Sequence, residues 1–142
     1  MKAPGDIVKK TNDDGTYYYK ENEKGQLVYH RVDGPAVEFE SGTKQWYLNG
    51  KLHREDGPAI EWEDGDKEWW LFGKRHRING PAVEMEDGTK EWYIDDEKYS
   101  EENFERERQR IYKNLLLTNY AMTKSGITHP EPFNRIQYYS TR

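Results

Sequence analysis

The chain repeats itself every 23 residues, and that spacing limits what it can fold into more than any local propensity does. VYHRVDGPAVEF, KLHREDGPAIEW and KRHRINGPAVEM occupy residues 28–39, 51–62 and 74–85. Pro35, Pro58 and Pro81 keep the step of 23, as do His30, His53 and His76, Trp46, Trp69 and Trp92, and Gly42, Gly65 and Gly88. Units of this kind stack, and each buries an apolar face of its neighbour. A catalytic centre needs its residues only once. The first copy carries a longer loop at KENEKG, with eleven steps from Tyr19 to His30 against seven from Trp46 to His53. A fourth copy begins at EWYIDDEKYS and stops before any His-Arg or Gly-Pro-Ala.

Within a unit, PAIEW alternates after its proline, with Ile60 and Trp62 on one face and Glu61 on the other, which suits a half-buried strand. Asp64-Gly65 marks a hairpin, because glycine accepts positive φ without penalty. KEWWLFG reads as the second strand, and Asn49-Gly50 as the closing turn of the preceding unit. In Gly-Pro-Ala, the preceding Asp33, Asp56 or Asn79 can make an Asx-type bond, the glycine can take a strained conformation, and the proline opens a strand. The fold class expected is therefore mainly β: an open antiparallel meander sheet of hairpin repeats with a C-terminal α-helix packed as a cap. A two-residue loop at Asp64-Gly65 and a longer one put the tryptophans on opposite faces relative to Ile60, so register stays open.

Composition constrains function more than fold. The 142 residues suffice for one domain, and a hydrophobic share of 33% with 35% charged residues would suit disorder if five Trp and eleven Tyr did not supply large ring area. Residues 1–99 carry 15 Lys and Arg against 22 Asp and Glu, or −7, and residues 100–142 carry 7 against 5, or +2. An acidic body repels phosphate backbones and anionic lipid, which argues against nucleic-acid and membrane-surface partners. With no Cys there is no disulfide or thiolate site, and no apolar run approaches membrane-spanning length. A cytoplasmic protein is expected.

Four segments follow: a loosely held N-terminus at 1–13, the repeat sheet at 14–99, a capping helix at 100–125 and an extended aromatic tail at 126–142. Ser100 is a good N-cap with acids behind it, and Phe104, Ile111, Leu115 and Met122 mark one stripe. ERERQR reads as solvated, and IYKNLLLTNYAM as the half that buries something. Phe133, Ile136 and Tyr138 in the tail suggest packing along the domain or onto a second copy.

NGKLHREDGPAIEWEDGDKEWWLFGKRHR resembles MORN repeats, including the related YwqK-like group of bacteria, over about residues 14 to 99. That resemblance implies a long single-layer sheet, scaffold, assembly or antitoxin-type roles, and dimerisation. Arg31, Arg54 and Arg77 stand where that family usually has Gly after His. Units worded HR-x-DGPA are also similar to repeats of tailed-phage proteins, which implies a viral inhibitor of a host defence protein.

Chemistry finds few footholds. Equivalent histidines on successive units sit about 9 to 10 Å apart, too far to converge on one zinc ion, so neither metal nor other cofactor is expected. No nucleophile-elbow, zincin or phosphate-loop pattern occurs, and the paired carboxylates of WEDGDKE and MEDGTKE read as a solvated acidic face. The expected function is non-enzymatic protein binding. Trp46, Trp69 and Trp92 should line one face and Tyr47, Trp70 and Tyr93 the other, and the helix can cover only one row. Tyr47, Trp70, Tyr93, Arg54, Arg75 and Arg77 are the candidate partner-binding residues. The alternative is a small-ligand sponge acting as an oligomer, with a nucleotide base stacked on Trp and its phosphate on His30, His53, His76 and Arg31.

Overall fold

The computed structural model describes residues 5–126. Its strands are β1 (Val8–Asn12), β2 (Gly15–Glu21), β3 (Leu27–Tyr29), β4 (Val37–Phe39), β5 (Lys44–Gln45), β6 (Tyr47–Leu48) and β7 (Lys51–Leu52). They continue as β8 (Ile60–Glu61), β9 (Lys67–Glu68), β10 (Trp70–Leu71), β11 (Lys74–Arg75), β12 (Val83–Glu84), β13 (Lys90–Ile94) and β14 (Glu97–Tyr99), followed by α1 (Glu101–Ser125). The architecture is an open antiparallel meander with one helix against its C-terminal end. Ten strands form the main sheet, in the order β1-β2-β4-β5-β8-β9-β12-β13-β14 with β3 also on β2, while β6-β7 and β10-β11 pair separately.

Those separate pairs correct one part of the expected meander, the second strand of the middle units. KEWWLFG does not run as one strand. It breaks at Trp69, whose N–H donates to the Ala82 carbonyl at 2.8 Å and whose carbonyl accepts from the His76 N–H at 3.0 Å. Trp46 makes the same two bonds, to Ala59 and from His53, and Tyr18 makes them to Ala36 and from His30. Tyr18, rather than Tyr19, is thus the first copy's counterpart of Trp46. One residue per unit passes the chain from a first row of hairpins to a second. The second row holds together through bonds such as Gly50 N–H to Tyr29 O at 2.8 Å, Gly73 N–H to Leu52 O at 2.9 Å and Asp96 N–H to Arg75 O at 2.9 Å.

The two rows use different turns. Between β8 and β9 the Trp62 N–H donates to the Asp66 carbonyl and the Gly65 N–H to the Trp62 carbonyl, a three-residue loop with Gly65 at φ 101°. That settles the open register: Ile60 faces Glu68, and Glu61 faces Lys67. Second-row hairpins close with two residues, both at positive φ: Asn49 and Gly50 at 51° and 79°, Phe72 and Gly73 at 48° and 79°, Asp95 and Asp96 at 49° and 67°. Two-residue loops with this geometry match the right-handed twist of the flanking strands.

The core is thin. Ala36, Ala59 and Ala82 are fully buried, beside Val37, Ile60 and Val83. Residues 8–12, expected to be loosely held, instead form edge strand β1, paired with β2 from Val8↔Tyr19 to Asn12↔Gly15. The signal was in NDDG: Asn12 Oδ1 accepts from the N–H groups of Asp14 and Gly15, both at 3.1 Å, and fixes the hairpin.

Helix α1 starts as its sequence suggests, with Ser100 Oγ accepting from the Asn103 N–H at 3.2 Å. The apolar stripe meets the sheet over its first part only. Phe104 is 3% exposed against Ile78 and Ile94, with Trp92, Tyr99, Ile111 and Tyr112 around them. Leu116, Leu117 and Tyr120, in the stretch expected to bury something, are exposed. The helix packs where the chain leaves β14, so its first turns meet the sheet. The expected tail lies outside the described residues.

Candidate functional site

Each repeat histidine is turned into the chain's own turns. His30 Nδ1 accepts from the Asn49 N–H at 2.9 Å and His53 Nδ1 from the Phe72 N–H at 3.0 Å, while His76 Nδ1 meets Asp95 twice, at 3.2 Å from its N–H and 3.0 Å from its Oδ1. All three rings are buried, and all three donors sit at positive φ. The imidazole therefore pins the strained first residue of the next hairpin, which is why the histidine recurs. In His30 and His53, accepting at Nδ1 requires the proton on Nε2. Burial, and then the charge of Lys20, lower the pKa of His30 below its ordinary value.

The arginine that follows builds a second recurring joint. Arg54 lays its guanidinium over Trp46 at 3.9 Å, donates from Nε to Asp56 at 3.0 Å, and gives Nη1 to the Pro58 carbonyl at 3.1 Å and to Glu61 at 2.9 Å. Arg31 lies over Tyr18 at 4.0 Å and Arg77 over Trp69 at 3.8 Å, with the equivalent bonds to Pro35 and Pro81. The Arg31 guanidinium bonded to Asp33 holds that carboxyl below its usual value. Here the turn expectation needs correction. Asp33 and Asp56 serve the arginine, and Gly34, Gly57 and Gly80 are absent from the positive-φ glycines. Glycine makes room for the guanidinium: a Cβ on Gly57 would lie 2.9 Å from Arg54 Cζ, and one on Gly34 2.9 Å from Arg31 Cζ, so either arginine would have to shift.

The third copy differs where the helix lands. Asn79 replaces the aspartate and accepts from the Tyr112 hydroxyl of α1 at 3.1 Å, leaving Arg77 Nε buried without a hydrogen-bond partner. The residue between arginine and aspartate is 82% exposed at Val32 and fully buried at Ile78.

Residues Tyr47, Trp70 and Tyr93 lie in the second row. Cross-strand pairing puts Tyr29 opposite Tyr19, Leu52 opposite Tyr47, Arg75 opposite Trp70 and Lys98 opposite Tyr93. Opposed residues share a face, so two side chains per unit form a strip across the strands. Tyr19, Tyr29 and Tyr47 follow at ring spacings of 4.9 and 5.1 Å, and Arg75 bridges Trp70 and Tyr93 at 5.0 and 5.4 Å. Polar neighbours orient the rings: Tyr47 Oη donates to Gln45, Trp70 Nε1 to Glu68, and Tyr93 Oη to Glu91. These anchors also recur at steps of 23. Burial, and then Tyr29, raise the pKa of the Tyr47 phenol.

Four of the six candidate partner-binding residues thus come together: Tyr47, Trp70, Tyr93 and Arg75. Arg54 and Arg77 belong to the other joint, stacked on Trp46 and Trp69. Leu52 and Lys98 were missed, although their place opposite the rings follows once the two-residue turns are known. A groove of about 720 Å³ opens between the Arg31 and Arg54 corners, lined also by Trp46 and His53, and one of about 540 Å³ lies between α1 and Trp92. Among the described residues, no group of three or more His, Asp or Glu is placed to hold a metal ion, and no helix is long and apolar enough to cross a membrane. Fold and site together define, among the described residues, an open antiparallel β-meander with one helix packed at the end of its sheet. Comparison with family models, curated proteins and solved structures gave no match.

Proposed function

We propose that this is a non-enzymatic binding protein and that the second-row strip is the surface it offers to another protein. The observation that carries the reading is the strip itself: half-buried rings at Tyr47, Trp70 and Tyr93, each oriented by a polar neighbour, on one face across successive units. Rigid aromatic rings present large area at little entropic cost, and with arginine they are the side chains on which interfaces depend most. The likeness of HR-x-DGPA to tailed-phage repeats extends the proposal to an inhibitor of a host defence protein contacting the same strip.

Quantitative capture of a binding protein tests it. Trp70→Ala is expected to weaken the complex by about 2 kcal/mol, roughly thirtyfold in Kd, whereas Glu55→Ala, on an exposed corner away from the strip, leaves it unchanged. Equal affinity of the native chain and Trp70→Ala, with both folded by circular dichroism, would remove the strip from the interface.

A further inference from the structure

We infer that the strip binds a proline-rich segment in the polyproline II conformation, laid across the strands with one turn over each repeat. This deepens the reading of the strip as a protein-binding surface and rests on it.

Spacing is the first argument. Rings equivalent by the 23-residue step are two strands apart, about 9.4 to 9.8 Å at ordinary strand spacing. A polyproline II turn of three residues rises about 9.3 Å. Over Tyr47, Trp70 and Tyr93 the two periods drift by about 1 Å at most, so a proline at every third position meets each ring in turn. Leu52 and Arg75, opposite Tyr47 and Trp70, lie in the intervals, one apolar and one a hydrogen-bond donor.

Backbone chemistry is the second. The strip lies on a sheet face and crosses the strands, so it offers no ladder of main-chain groups to a ligand. A polyproline II chain needs none, because it has no internal hydrogen bonds and its carbonyls point outward. The Arg75 guanidinium has five donors, of which Nε goes to Glu68 at 3.2 Å. Its Nη groups are of the right chemistry to meet those carbonyls.

Charge complementarity is the third. The whole chain carries −5, yet along the strip Arg75 is paired with Glu68 at 3.2 Å and Lys98 with Glu91 at 2.6 Å. A surface with its charges compensated internally fits an uncharged, ring-bearing occupant.

The test titrates the full chain with decaproline, triproline and a ten-residue Gly-Ser peptide, following amide and indole shifts by NMR. Decaproline is expected to saturate, at least about tenfold tighter than triproline, with shifts centred on Trp70 and no saturation by the Gly-Ser peptide. Trp70→Ala, and Leu52→Lys as a second variant that puts a charge in the interval beside Tyr47 and keeps the Trp70–Glu68 bond, should each weaken decaproline about tenfold. Decaproline binding no better than Gly-Ser, or unaffected by both folded variants, overturns the inference. If decaproline fails while Trp70→Ala still abolishes protein capture, only the polyproline assignment falls. Failure of both removes the strip as a binding surface.

Discussion

Gly57→Ala should destabilise the native chain and yet be harmless in a chain that already carries Arg54→Ala. Gly57 is absent from the glycines at positive φ, so alanine fits the backbone there. The added methyl would sit 2.9 Å from Arg54 Cζ, 3.1 Å from Nε and 3.2 Å from Nη2. The guanidinium must leave its seat. Its departure costs roughly 1 kcal/mol for the Pro58 carbonyl bond, roughly 0.5 for the partly exposed Glu61 pair and roughly 0.5 for stacking on Trp46. The exposed Asp56 contact adds nothing to this sum. Alanine returns about 0.5 kcal/mol by restricting the unfolded chain, so the net loss is about 1.5 kcal/mol, or about 5 °C in Tm for a chain of this size. With Arg54→Ala in place the same change should stabilise by about 0.5 kcal/mol. Urea unfolding of the four chains gives the coupling, expected near 2 kcal/mol. A coupling below about 0.5 kcal/mol would refute the account of why Gly-Pro-Ala follows His-Arg.

Three further outcomes are expected. His30 has a lowered pKa in the folded chain, so its neutral form supports the fold: that stability is present above about pH 6.5 and is lost as pH falls through the lowered value. Tm measured from pH 8 to pH 5 should drop below 6.5, with a smaller drop in His30→Gln. Phe104→Ala removes a ring that is 3% exposed and should cost about 3 to 5 kcal/mol of helix docking; hydrogen exchange should then speed in α1 while β4, β5, β8 and β9 stay protected. Ser100→Ala loses the bond to the Asn103 N–H and should cost about 1 kcal/mol, read as a lower unfolding midpoint.

Much of the fold was legible because periodic landmarks report stacking directly. Asp64-Gly65 and Asn49-Gly50 announced their hairpins, and Ser100 announced the helix. The break at Trp69 was hidden, since KEWWLFG keeps a strand-like composition through it and only the Ala82 and His76 backbone bonds reveal the change of row. Phe72-Gly73 and Asp95-Asp96 carry no comparable hairpin wording; they turn because their neighbours and a buried histidine hold them there. The role of Gly57 depended on where the Arg54 guanidinium rests, which no local preference encodes. In the helix, apolar spacing gave the stripe, but which half meets the sheet is set by the geometry of the β14 exit. Three aromatic positions of the strip followed from the 23-residue step, and the cross-strand partners waited on the turn length.

The substitution of asparagine at position 79, with a buried isoleucine before it, gives the array a defined last unit. The joints of Arg31 on Tyr18 and of Arg54 on Trp46 make the same bonds to aspartate and proline, so one more 23-residue module inserted between the first and second copies would find matching neighbours on both sides and lengthen the molecule by two strands per row. A module added after the third would displace Tyr112 and strand Ile78 in water. Growth of such a protein by duplication is therefore directional, proceeding upstream of a fixed terminator.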